Sequence, residues 1–396
     1  MITRRQFLSL ASGAGALILL AACGGATPPG SPAPSSAPGK PAAGAASRTT
    51  AAPAADPRAS VAPKVATLEQ ELALPQAVLD AARKEGKVAW ITSIDDAPAK
   101  AVIDAFRKRY PEIEVQYQQG SEEVRTVRTL TELKAGRNKI DVVQGIGGFL
   151  TEYRNINALA PLNDLPVYPN YDVPYRDSQD MYIGFRMQFW AIGYNKDKVK
   201  EADLPKTWEE LTTPKWKGRF GLADRPQLWV MHLWKTWGAD KTTDFLKKLF
   251  ANDPQRRKEG LDASAKLLGA GEFDLFIPAA PYRIQGLVEQ KNPVGWYSPD
   301  PLPVSFSDMV ILAKGPNPNA AKVFVNWFLS REGEAVYSKA DFAPPTHPAL
   351  RHDKDYLGMF ASEFESKPWA AQTPEDEPTY MPDIRKVWQP LWIGGV

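Results

Sequence analysis

The chain has 396 residues, with 48 Lys and Arg against 46 Asp and Glu, three histidines and one cysteine. A net charge of +2 with both signs interspersed excludes the strongly basic footprint of a nucleic-acid binder, and a single thiol excludes an intrachain disulfide. The length is ample for two domains and a sizeable core.

The N-terminus runs MITRRQFLSLASGAGALILLAAC. Arg4 and Arg5, the apolar stretch from Phe7 to Ala22 and the small residues before Cys23 have the layout of an export signal over residues 1–22. The apolar part is shorter than the roughly 20 residues that cross a bilayer as a helix, and no later stretch reaches that length. TRRQFL resembles a twin-arginine export signal. LAAC resembles the bacterial lipobox, whose cysteine becomes the acylated first residue of the mature protein. Lipidation of Cys23 is therefore expected ahead of an incidental cysteine or a catalytic thiol, which needs a positioned base and a pocket. The following residues, up to 66, are almost all Ala, Pro, Ser, Gly and Thr and cannot bury enough surface to offset their ordering entropy. Residues 23–66 are thus a lipidated, disordered tether of roughly 35 Å r.m.s. span.

The first folded stretch alternates two periodicities. LPQAVLDAARKEG has helical spacing and a closing Gly86, KVAWIT (87–92) is a buried strand, and APAKAVIDAFRKRY is an amphipathic helix. IEVQYQQ is a second strand, Ser121 with Glu122 and Glu123 opens a helix that Gly136 closes, and KIDVVQG is a third strand. This β-α-β-α-β order predicts a largely parallel sheet covered by helices. Ligands bind beyond the carboxyl ends of such strands, here TSIDD, QQGS and GIGG, so Thr92, Ser93, Asp95 and Gly147 are candidate contacts. Capping and turn chemistry alone is the simpler account of each single loop and is preferred to ligand contact there, and GIGGF is not a dinucleotide fingerprint.

Residues 181–199 form a long extended run. PKTWEEL holds a capping box of Thr207 and Glu210, and RPQLWVMHLWKTWG is a helix with Pro226 at its first position and Gly238 at its end. GEFDLFIPAAPYRIQGLVEQ repeats the strand-to-helix pattern, a second extended run follows from Val294, and NPNAAKVFVNWFLSREGEAVYSKA carries Ala320, Val323, Phe324, Trp327 and Phe328 on one helix face. The fold class is α/β, with two lobes joined by two extended segments in a hinged clam.

LDAARKEGKVAWITSIDDAPAKAVIDAFRKRYPEIEV, ELKAGRNKIDVVQG, AIGYNKDKV, TWEELTTPKWKGRFGLADRP and GPNPNAAKVFVNWFLSREGEAVYSK, in this order over about residues 68–350, resemble the extracellular solute-binding proteins of ABC importers. The subgroup is the type II periplasmic-binding proteins that include ferric-iron binders. The resemblance implies a two-lobed type II periplasmic-binding-protein fold, with lobe one in residues 67–185 and 305–396 and lobe two in 186–304. It also implies an interlobe cleft, a membrane permease partner and a chain that is no enzyme. No GxSxG, HExxH or P-loop pattern argues for an exported hydrolase. A sensor feeding a membrane receptor uses the same clam. A monomer with no cofactor, outside the cytoplasmic membrane and held to it by lipid, is expected.

In the ferric binders, paired tyrosines after a second-lobe strand hold the metal; here Pro281 occupies the first place and Tyr282 the second, which counts against iron. The histidines are scattered, without metal-ligand spacing. Arg225 and Arg283, near starts of second-lobe helices, suit a carboxylate or phosphate, and Trp190 or Tyr282 suits stacking on an organic body. An organic or phosphorylated anion is the favoured ligand, ferric iron at Tyr282 the alternative, and an amine at Asp95, Asp96 and Asp224 stays open.

Overall fold

The structure is a computed structural model that describes residues 62–172, 174–357, 360 and 366–394. The export signal, Cys23 and the tether up to residue 61 lie outside the described residues. Packing begins inside the expected tether: Lys64 pairs with Asp172 at 2.6 Å, and the Val65 amide donates to Asn170 at 2.8 Å.

Lobe one opens with α1 (Leu68–Glu71), which a capping box between Thr67 and Gln70 starts. Then come α2 (Gln76–Glu85), β1 (Lys87–Thr92), α3 (Asp96–Arg109) and β2 (Glu114–Gln119). Gly86 ends α2 at φ +68°, the left-handed closing position that favours glycine. A π-turn, Val124–Arg128, leads into α4 (Thr129–Lys134), followed by β3 (Val142–Gln144) and α5 (Leu150–Asn155). β1 pairs parallel with both β2 and β3.

The extended run at 181–199 is two strands in two different sheets. β4 (Ile183–Phe189) belongs to the first sheet and β5 (Ala191–Asn195) to the second. Lobe two continues with β6 (Phe220–Ala223), α6 (Pro226–Trp237), α7 (Ala239–Ala251), β7 (Gln255–Arg257) and α8 (Leu261–Gly269). It closes with β8 (Leu275–Ala279), α9 (Pro281–Glu289) and β9 (Val294–Tyr297). The chain then returns to lobe one through β10 (Leu302–Ile311), buried at every position, and α10 (Pro318–Phe328) with α11 (Arg331–Asp341). Last come α12 (Lys354–Leu357), β11 (Trp369–Gln372) and α13 (Asp376–Ile393).

The first sheet has the order β11-β10-β3-β1-β2, with β4 also on β10, and the second the order β7-β6-β8-β5-β9. The first is mixed rather than wholly parallel, because β10 returns antiparallel to β3 and β4. Its core joins Trp90, Phe106, Phe324, Trp327 and Phe328, with the Trp90 and Phe324 rings 5.3 Å apart. The second core holds Trp208, Trp216, Trp229 and Phe245. Rings of this size supply much of the apolar area that each lobe removes from water.

Two expected boundaries are corrected. Residues 186–189 and 302–304, expected in lobe two, lie in β4 and β10 of the lobe-one sheet, and residues 305–396 do not all belong to lobe one, because α13 packs on α6 and α7 of lobe two. Met381, Ile384 and Trp388, spaced 3 and 4 apart on one helix stripe, are buried in the second core.

Candidate functional site

The two crossovers meet at Trp190. Its backbone amide donates to the Pro303 carbonyl and its indole N–H to the Ser305 hydroxyl, both at 3.0 Å. Around it opens a cleft of about 220 Å³ whose wall draws on both lobes: Ser93, Arg125, Gly147 and Asp308 from lobe one, Gln227 from lobe two, and Glu377 from α13.

Arg125 organises the lobe-one wall. The π-turn aims its guanidinium at three carbonyls: Gly120 at 3.1 Å, Gln144 at 2.9 Å, and Gly145. Gly145 has φ +76°, and a Cβ there would run into the Arg125 Nη1, so glycine is required on both counts. Asp308 closes the same loop from β10, accepting the amides of Ile146 at 2.8 Å and Gly147 at 2.9 Å. Burial pushes its carboxyl above the usual carboxylate range, opposed by those two amides and by Arg125.

Thr92, Ser93 and Gly147 thus have partners already. The Thr92 hydroxyl, the Ser93 amide (2.9 Å) and the Ser93 hydroxyl (3.1 Å) all converge on Gln144 Oε1. Thr92 is fully buried, so it shapes the wall from behind, whereas Ser93 lines the cleft. The Gly147 amide expected to face a ligand is held by Asp308.

Lobe two presents a second group. Tyr282, in the first turn of α9, lies with its ring centre 5.7 Å from the guanidinium carbon of Arg186 in lobe-one strand β4. Arg186 is only 6% exposed, holds φ +50° and pairs with Asp341 at 3.7 Å. Arg283 donates through Nε to the Tyr282 hydroxyl at 3.0 Å and pairs with Asp262 through Nη1. Burial raises the proton affinity of the Tyr282 phenol, with Arg186 pulling the other way. Asp95 accepts from Gln119 at 2.7 Å, and its charge reaches both Tyr282 and Arg283.

Arg225 caps α6 by its backbone and is exposed; like Asp95, Tyr282 and Arg283, it is not among the residues lining the cleft around Trp190. The three aspartates considered for an amine do not converge: Asp96 accepts from Tyr117 at 3.1 Å and Asp224 from Trp388 at 2.7 Å. Among the described residues no group of three or more His, Cys, Asp or Glu could hold a metal ion. Arg125, Arg186, Asp308 and Glu377 were not legible as site residues. Arg125 depends on a π-turn that periodicity does not reveal, and the other three on contacts between distant segments.

The family model described as bacterial extracellular solute-binding protein matches residues 90–335, well over half of the chain. The chain belongs to this family. This solute-binding protein is similar to the iron uptake protein A1 of Synechocystis, 27% identical over 209 residues covering 48% of this chain and 58% of that one. It is also similar to the Fe(3+)-binding periplasmic protein of Serratia marcescens, 27% identical over 192 residues covering 46% and 56%. The matched stretch thus spans little more than half the length of these relatives. Among solved structures, iron-bound HitA from Pseudomonas aeruginosa superposes with a TM-score of 0.63 at 20% identity, over 76% of this chain and 99% of that one. Trichodesmium IdiA (FutA), in complex with iron and citrate ligands, gives 0.63 at 21% over 77% and 99%. At these identities the likeness shows the fold: two lobes of the type II periplasmic-binding kind.

Proposed function

We propose that this chain captures ferric iron, presented as an anionic carboxylate complex, between its lobes outside the cytoplasmic membrane and hands it to an ABC permease. The observation that carries the reading is Tyr282 at the lobe boundary between Arg186 and Arg283. A phenol offers an oxygen donor for ferric iron. Two guanidiniums beside it disfavour a bare cation and suit the carboxylates of a chelate. The iron-binding relatives support the metal, and Pro281 in place of a second tyrosine supports the need for a chelator's own oxygens. Closure of the lobes on the complex shifts an open–closed equilibrium towards closed.

A second reading, an organic or phosphorylated anion without metal, draws on the same arginines. A thermal-shift comparison of ferric citrate, citrate alone, inorganic phosphate and ferric nitrilotriacetate separates the two. A ligand that binds only the folded form stabilises it by RT ln(1 + [L]/Kd), about 2.7 kcal/mol at a hundredfold excess over Kd. The iron reading expects a shift with ferric citrate and none with citrate or phosphate. An equal shift with citrate alone overturns it in favour of the metal-free anion.

Export and lipidation at Cys23 complete the proposal, since a tethered capture protein stays beside its permease. Cys23→Ser is expected to move the protein from the membrane to the soluble fraction of the exporting cell. Retention on the membrane would refute the anchor.

A further inference from the structure

The C-terminal helix α13 grips both lobes. Its body rides on lobe two: the Trp388 indole donates to Asp224 at 2.7 Å and its ring meets Phe250 at 5.2 Å. Arg256 donates to the carbonyls of Leu391 at 3.2 Å and Gly394 at 3.1 Å, and Lys235 pairs with Asp376 at 2.6 Å. The start of the helix reaches across to lobe one. Glu375 accepts from the Tyr182 hydroxyl at 2.7 Å and from Arg154 at 3.3 Å. Glu377 lies so close over Gly148 that a Cβ there would stand 2.6 Å from its carboxyl carbon, and it lines the cleft.

From Glu377 to Trp388 the helix runs eleven residues, about 16 Å at 1.5 Å per residue. β11 of the first sheet ends at Gln372, so residues 373–375 join lobe one directly to the start of α13, and a rotation of roughly 15°, the scale of a rigid-body domain movement, is taken up at that junction. Opening the lobes while α13 stays seated on lobe two therefore works against the Glu375 and Glu377 contacts to lobe one. Neither residue lies in the stretch that matches the family model.

We infer that Glu375 and Glu377 are positioning residues for solute capture: carried on a helix fixed to lobe two, they clasp lobe one and hold the lobes near closure before the solute arrives. The inference rests on the reading that solute enters the interlobe cleft. Gly148 is the matching concession in lobe one, since any side chain there would push the Glu377 carboxyl away. Ligand affinity follows the closed fraction, so a tenfold fall in that fraction raises the apparent Kd about tenfold.

The test uses the full chain with Cys23→Ser and spin labels on Lys108→Cys in lobe one and Lys247→Cys in lobe two, read by double electron–electron resonance. Without solute, Glu375→Ala with Glu377→Ala is expected to move the distances to longer values. Gly148→Ala, which dislodges Glu377 without truncating it, is expected to do so in part, and Glu377→Gln, which keeps an acceptor, to stay close to the parent. With ferric citrate as probe, the double variant should bind about tenfold more weakly. Superposable distances for the parent, the double variant and Gly148→Ala would overturn the latch. The distances need no solute, so a failure of all forms to bind ferric citrate overturns the iron reading and leaves the latch to be judged on its own.

Discussion

The indole N–H of Trp190, where β4 gives way to β5, donates to the hydroxyl of Ser305 on β10 at 3.0 Å. One crossover is thereby tied to the other at the floor of the cleft, with both partners buried. Such a bond fixes the two crossover strands to each other.

Ser305→Ala leaves that buried N–H without its acceptor, a loss of about 1–3 kcal/mol. Urea unfolding should show a lower midpoint at an unchanged slope. An unchanged midpoint would mean that another group takes the proton.

Stability should also fall in mild acid. His232 is fully buried on α6, its Nε2 3.0 Å from the Val304 carbonyl, and burial pushes its pKa down to about 3. The native state holds it neutral, while the unfolded chain takes up a proton below about 6.5. Its contribution is therefore present above that value and is lost as pH falls. Between pH 6.5 and 5 the loss is about 2 kcal/mol. In His232→Gln this limb of the pH profile should flatten, and a limb as steep as the parent's would assign the acid sensitivity elsewhere.

Asp308→Ala removes the acceptor of two loop amides and uncovers Arg125. The expected cost is about 3 kcal/mol, as for a buried network broken on one side. Asp308→Asn, which keeps one acceptor, should cost less. Equal unfolding midpoints for the two variants would show that the loop at 145–148 is held by other means.

The elements were legible where local chemistry dictates them. Gly86 closes α2, β1 runs over Lys87–Thr92, and Pro226 and Gly238 bracket α6 as their backbone preferences require. The hinged arrangement was legible because two runs too long for single strands each divide between the two sheets. The placement of α13 was not, since a stripe of Met381, Ile384 and Trp388 names an apolar face but not the core that receives it. At the site, Ser93, Gly147 and Trp190 line the cleft, the hydroxyl of Thr92 and the amide of Gly147 hold its wall together, and Asp95, Arg225, Tyr282 and Arg283 lie outside that lining. Arg186 went unread because a buried arginine in a hydrophobic strand gains its meaning only from Tyr282 and Asp341 across the boundary.

Arg186→Met keeps much of the side-chain volume and removes the charge beside Tyr282. A chelate held through its carboxylates should lose about 1.5–3 kcal/mol, the range for hydrogen bonds to charged groups, and the loss is read by calorimetric titration with ferric citrate. Undiminished affinity would show that the anionic part of the ligand lies elsewhere.

The most direct measurement is an absorbance titration of the protein with ferric citrate, comparing the parent with Tyr282→Phe. A saturable phenolate-to-iron charge-transfer band is expected in the parent and its loss in the variant, together with weaker binding. Saturable binding without such a band, or a band equally strong in Tyr282→Phe, would contradict the claim that Tyr282 takes the metal of a ferric complex.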